Sequence, residues 1–78
     1  MTSFALMDIK LKLGLRIKEL RELSGMSQKD LAFDSDLDRS YIAGIENGKR
    51  NVSIANIEKI ALALKTNIRT FFNSSDFS

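Results

Sequence analysis

Two short segments, residues 27–34 and 38–47, both carry helix signals and stand only three residues apart. A gap that short forces the second helix to turn sharply off the first and to pack against it. Ser27 can cap the amide of Asp30 in a Ser-x-x-Asp capping box, and Met26 and Leu31 occupy the positions of a hydrophobic staple. Asp38 stands at the N-cap of the second segment, Ile42 and Ile45 share its inward face, and Gly48 closes it. Ala32 is small where the two helices must cross, and Leu37 plugs the turn between them. Gly44 lies inside the second helix, where glycine costs about 1 kcal/mol relative to alanine. Such a glycine suggests close approach of another backbone.

The flanking sequence supplies the helices this pair must pack on. Residues 8–23 place Leu13, Ile17 and Leu20 on one face at spacings of four and three, with Gly25 positioned to end the helix. Leu11 and Leu15 fall off that stripe and are either exposed or turned to a partner. A fourth helix starts at Ser53 and carries Ile54, Ile57, Ile60, Ala61 and Leu64 at helical spacing. A short fifth, residues 68–73, follows a cap at Asn67 and brings Phe71 and Phe72. The polar tail, residues 73–78, is expected to fray. The chain of 78 residues has no proline and no strand pattern. The expectation is one all-α domain over residues 1–78, with five helices, a core over about 8–73 and a helix-turn-helix at about 27–47.

Composition removes several classes of function. There is no cysteine and no histidine, hence no disulfide, no thiolate or imidazole metal site, and no histidine base. No carboxylates clustered in a plausible pocket and no glycine-rich phosphate loop take their place, so neither an enzyme, a cofactor, a metal nor a small-molecule ligand is expected. No apolar run is long enough for a membrane span, and the first ten residues lack a cationic start and a cleavage site, which points to the cytoplasm. A net charge of +2 says little by itself. Its distribution says more: Arg39, Lys49 and Arg50 flank the second short helix, while Asp30, Asp34, Asp36 and Asp38 cluster before it.

A helix, a tight turn, a second helix and a basic loop are the layout of a module that sets one helix in the DNA major groove. GMSQKDLA at 25–32, Leu37, SYI at 40–42 and IENG at 45–48 resemble the lambda-repressor/Cro type of helix-turn-helix, the Xre family, over roughly residues 13–72. LDRSYIAGIE at 37–46 followed by RNVS at 50–53 is most similar, within that family, to the controller proteins of restriction–modification systems. The resemblance implies a small dimeric regulator of its own operon and of the endonuclease gene. Two positions depart from the family. Lys65 stands where glycine is usual, and Asn67-Ile68 where an acidic cap and proline are common. Either Lys65 takes a positive φ or the turn differs here.

Within this frame double-stranded DNA is the expected partner. Arg39, in the first turn of the reading helix, is the leading candidate for a base contact, since a guanidinium can bond guanine O6 and N7 together. Its structural alternative is an ion pair with Asp36 or Asp38. Ser40 suits a base or a phosphate, or a second cap, and Ala43 suits a thymine methyl. Tyr41 can lie on the DNA backbone with its hydroxyl on a phosphate, or pack half-buried on the first helix. Asn47, Lys49 and Arg50 suit phosphate, with Arg50 favoured by the controller resemblance. Ser27 and Gln28 open a helix whose free amides suit phosphate. The resemblance further implies that Gln28 braces the reading helix. It also implies that Arg21 pairs with Glu46 as a structural tie, with Arg21 a further phosphate candidate.

One unit of this size buries little DNA surface, so a homodimer is expected, through Ile68, Phe71 and Phe72. One of the two phenylalanines is expected to complete the monomer core instead. Phe4, Leu6 and Leu15 are further candidates for the interface. RNA polymerase is a possible second partner through the aspartate cluster, although caps and turn chemistry already account for Asp30 and Asp38. The alternative to a DNA reader is an antitoxin-like interaction module built on the same fold.

Overall fold

The computed structural model describes residues 8–78. Asp8 accepts a hydrogen bond from the amide of Lys10 and opens α1, Ile9–Leu23. Ser27 caps α2, Gln28–Ser35, through both halves of the capping box: its hydroxyl accepts from the Asp30 amide, and the Asp30 carboxylate accepts from the Ser27 amide, each at 3.0 Å. α3, Arg39–Glu46, follows after residues 36–38. Ser53 caps α4, Ile54–Ala63, and Asn67 caps α5, Ile68–Phe71. No strand occurs among the described residues, and the architecture is the all-α one expected.

The helix ends share one device. After each of α1 to α4 a residue with positive φ folds the chain back, so that two amides reach the last free carbonyls. Glycine fills that place at Gly25 and Gly48. Asp36 at φ 59° and Lys65 at φ 64° fill it in the other two, so Lys65 does adopt the strained conformation its position asks for. Its amide donates to the Leu62 carbonyl and that of Thr66 to Ala61, which keeps the turn regular despite the side chain.

The core is a single apolar cluster in which Ile17, Leu31, Ile42, Ile45, Ile60 and Phe71 are fully enclosed. Leu13, Ala32, Ile57, Ala61 and Leu64 complete it, while Leu20, Met26 and Leu37 pack against its edge. α1 lies against α3, and α2 packs on α3 and on α4. The tightest point is Gly14. A Cβ there would collide with the carbonyl oxygen of Ile45 and with the Glu46 backbone, so α1 crosses the end of α3 main chain to main chain.

Several expectations are corrected. Asp38 holds the N-cap position of α3 but makes no side-chain capping bond. Ile54 is 68% exposed, because at the first position of α4 it lies beyond the part of that helix covered by α2. α5 ends at Phe71, two residues early, with Phe72 as its cap. The tail is not frayed: Ser74 caps a 3-10 turn, Ser75–Phe77, and the Phe77 ring meets Phe72 edge-on at 4.9 Å. The close approach at Gly44 is made by the side chain of Arg50, not by a backbone.

Candidate nucleic-acid interface

α3 has one buried side and one open side. Ile42, Ile45 and Glu46 face the body, which turns Ser40, Ala43, Gly44 and Asn47 outward by helical geometry. Arg39 and Ser40 are exposed in its first turn. Arg39 makes no ion pair with Asp36, Asp38 or any other described residue, so the structural alternative for it is not realised. Its five donors are free for an acceptor outside the molecule.

The open helix is braced from behind by a polar network. Glu46, almost fully buried, receives the Arg21 guanidinium as a fork: Nε to Oε2 at 2.7 Å and Nη2 to Oε1 at 3.0 Å. The remaining nitrogen of Arg21, Nη1, donates to the Met26 carbonyl at 2.8 Å. Gln28 Nε2 donates to the same Glu46 Oε1 at 3.1 Å. The hydrogen bond from Arg21 to Glu46, with their attraction, outweighs desolvation and raises the guanidinium pKa. This network joins the end of α1, the start of α2 and the end of α3. Arg21 has every guanidinium nitrogen committed to the protein, which supports the structural reading over the phosphate one. No buried side-chain nitrogen or oxygen among the described residues lacks a partner.

Ser27, Asn47, Lys49 and Arg50 are exposed around the reading helix, at its flank and in the loop behind it. Tyr41 is half-buried against the core edge, and its partner is α4, not α1: Asn56 Nδ2 donates to its hydroxyl at 3.1 Å. The guanidinium of Arg50 stands over its ring, 5.4 Å from the centroid. Asn56 was not legible as part of this face, since only the packing of α4 on α2 brings it within reach of Tyr41. Asp34 and Asp36 are exposed, and neither forms an ion pair with a described residue.

The expected dimer surface is partly withdrawn. Phe71 has no exposed area, so it belongs to the monomer core and not to an interface. Phe72 and Ile68 are half-buried at the core edge and remain available, joined by Phe77 from the 3-10 turn of the tail. Phe4 and Leu6 lie outside the described residues. Leu15 is partly open, and Leu23, Phe33 and Leu62 are also well exposed. Arg16, on the polar side of α1 by its spacing from Leu13 and Ile17, holds α5 in place: Nε donates to the Phe71 carbonyl at 2.7 Å and Nη2 to that of Thr70 at 3.0 Å. No group of acidic side chains among the described residues is arranged to hold a metal ion. No helix among them is long and apolar enough to cross a membrane.

A capped helix, a tight turn and a second helix with an unpaired arginine at its open front define a helix-turn-helix DNA-binding domain. The helix-turn-helix family HTH_3 matches residues 17–71. The chain is 46% identical over 67 residues to the control protein C.MunI of Mycoplasma sp, covering 85% of this chain and 90% of that protein. It is 52% identical over 58 residues to the control protein C.BamHI of Bacillus amyloliquefaciens, covering 73% and 72%. Among solved structures it is similar to the restriction-modification controller protein C.AhdI from Aeromonas hydrophila, with a TM-score of 0.79, 52% identity, and coverage of 82% of this chain and 97% of that one. The C.Esp1396I controller tetramer, solved in complex with its natural 35 base-pair operator, superposes with a TM-score of 0.80 at 41% identity, covering 85% and 87%. The chain belongs to the HTH_3 helix-turn-helix family and, within it, to the controller proteins of restriction–modification systems. It is a transcriptional regulator of a family that is not one of enzymes.

Proposed function

We propose that the protein acts as a homodimer on a pseudo-palindromic operator and controls a restriction–modification operon that includes its own gene. The observation that carries this reading is Arg39: exposed, unpaired, and set at the front of a helix whose other side is locked by the Arg21–Glu46 fork. Arg39, Ser40 and Ala43 would address base edges. Ser27, Gln28, Tyr41, Asn47 and Lys49 would hold phosphate and set the register. Ile68 and Phe72 would join two copies, placing the reading helices about 34 Å apart. The relative solved on its operator does so as a tetramer, which supports assembly beyond the single chain. Occupancy of the operator would follow protein concentration. The site of action is the cytoplasm, where the operator lies.

The test is selection of bound DNA from a random double-stranded pool at near-physiological salt. Enrichment of an inverted repeat with half-sites about ten base pairs apart is expected. On the enriched site Arg39→Ala should bind roughly tenfold or more weakly and lose preference at one base pair per half-site. Binding that is salt-sensitive and indifferent to sequence would overturn the reading and turn attention to a protein partner. Contact with RNA polymerase has a narrower basis, because Asp30 and Asp36 already serve a cap and a turn. Charge reversal at Asp34 and Asp36 that spares DNA binding but abolishes transcriptional activation would establish it.

A further inference from the structure

Gly44 lies in the middle of α3, one turn after Ser40 and on the same outward face. A glycine inside a helix is destabilising relative to alanine, and here no crossing backbone explains it. What occupies the vacant place is the stem of Arg50: a Cβ on Gly44 would come within 3.0 Å of Arg50 Cγ and 3.2 Å of its Nε. From that seat the guanidinium extends over Tyr41, whose ring is held in turn by the Asn56 amide. Ser40, Tyr41 and Arg50 line one recess. Arg50 is therefore folded back from the loop and laid across the reading helix. Its guanidinium makes no hydrogen bond or ion pair with another described residue, so its planar fork of donors is free.

We propose that Gly44 is a specificity-determining residue: its missing side chain seats Arg50 on the reading surface, so that an arginine from outside the reading helix addresses a base edge instead of clamping the phosphate backbone. Gly44, Asn56 and the ring of Tyr41 position Arg50 in this arrangement, and Arg50 is the group among them that reaches a base edge. Ordering a long side chain before binding removes part of the entropy that binding would otherwise cost, and a stacked fork resists the swing that would carry it to a phosphate. The neighbour of the absent Cβ is a flexible side chain, so alanine at 44 pushes the Arg50 stem off its seat by a few tenths of an ångström and leaves the fold intact.

The inference rests on the chain being a sequence-specific reader, and the test separates the two. Full-length wild type, Gly44→Ala, Arg50→Ala, Arg50→Lys and the double alanine variant each select sites from a random double-stranded DNA pool. Their affinities for the wild-type site are then measured over a salt series. Gly44→Ala should melt at the same temperature as wild type or higher, yet bind roughly tenfold more weakly. It should lose preference at the same base pairs as Arg50→Ala, and the double variant should lose nothing further. Arg50→Lys should lose that preference too while keeping the salt slope. The proposal is overturned if Gly44→Ala enriches the wild-type site at wild-type affinity. It is equally overturned if Arg50→Ala weakens all sequences alike with the slope reduced by about one, the behaviour of a phosphate clamp. If wild type itself enriches no site, sequence reading fails as a whole, and this inference with it.

Discussion

Glu46 shows how one residue can serve both stability and reading. It is a carboxylate with its side chain almost wholly buried, satisfied by the Arg21 fork and by Gln28. Removing one member of such a pair leaves the other charged, buried and uncompensated. Glu46→Ala should therefore lower the unfolding free energy by about 3 kcal/mol, read by urea denaturation, even though Glu46 itself need not touch DNA. Asp30 makes the opposite case, a fully exposed residue that matters through local bonding. The amide and then the hydroxyl of Ser27 stabilise its carboxylate and hold its pKa below the ordinary aspartate value. The unfolded chain thus takes up the proton first. The contribution of this cap is complete above about pH 4 and fades as the pH falls through the lowered folded value. Asp30→Asn should flatten that part of the acid limb in a pH series of thermal melts. The cap was legible because its two partners are three residues apart. The Arg21–Glu46 tie was legible only through the resemblance, since 25 residues separate the pair and no local rule joins them.

At the scale of elements, the chain stops its helices with the main chain. The same pair of backward-reaching amides ends α1, α2, α3 and α4, whatever residue occupies the turn. Lys65 bears the cost, because a left-handed conformation is unfavourable for a side chain with a Cβ by about 1–2 kcal/mol. Lys65→Gly should relieve it and raise stability by about 1 kcal/mol after the added freedom of the unfolded chain is counted. A lowered melting temperature would show that the Lys65 side chain makes a contribution the glycine cannot replace. Helix starts and stops were readable in advance because Ser27, Gly25, Ser53, Asn67 and Gly48 act within a few residues of where they stand. Which side of α4 meets the body was less so: its apolar residues run almost all round, and Ile54 and Leu62 are exposed because no described element covers them. The end of α5 was misplaced for a related reason. Its last carbonyls are taken by Arg16 from α1, a tertiary contact that helical periodicity does not encode.

For the whole molecule, the proposed function asks a small body to present two reading helices at a fixed separation. The proposed surface for self-association is the half-buried edge of Ile68, Phe72 and Phe77, next to the α5 end that Arg16 holds to α1. Phe72→Ala should convert a dimer to a monomer at micromolar concentration in sedimentation equilibrium. The variant should also lose cooperative binding to the paired half-sites while each half-site is still bound weakly. A dimer that survived would place the contact elsewhere, with Leu15 and Leu62 the next surfaces to alter. The pattern of apolar residues announced the core, but it did not reveal which of two adjacent phenylalanines would be enclosed. The same holds for Gly14: nothing in its own neighbourhood marks it, and only the crossing of α1 over the end of α3 gives it a purpose. That crossing has a consequence for how such proteins diverge. The height at which α3 stands above the body is set by main-chain atoms in contact, with no side chain between them to lengthen or trim. Depth of entry into a groove is thus a constant of the architecture, while the outward side chains can be exchanged freely, so descendants of this chain can acquire new target sequences without renegotiating how far they reach.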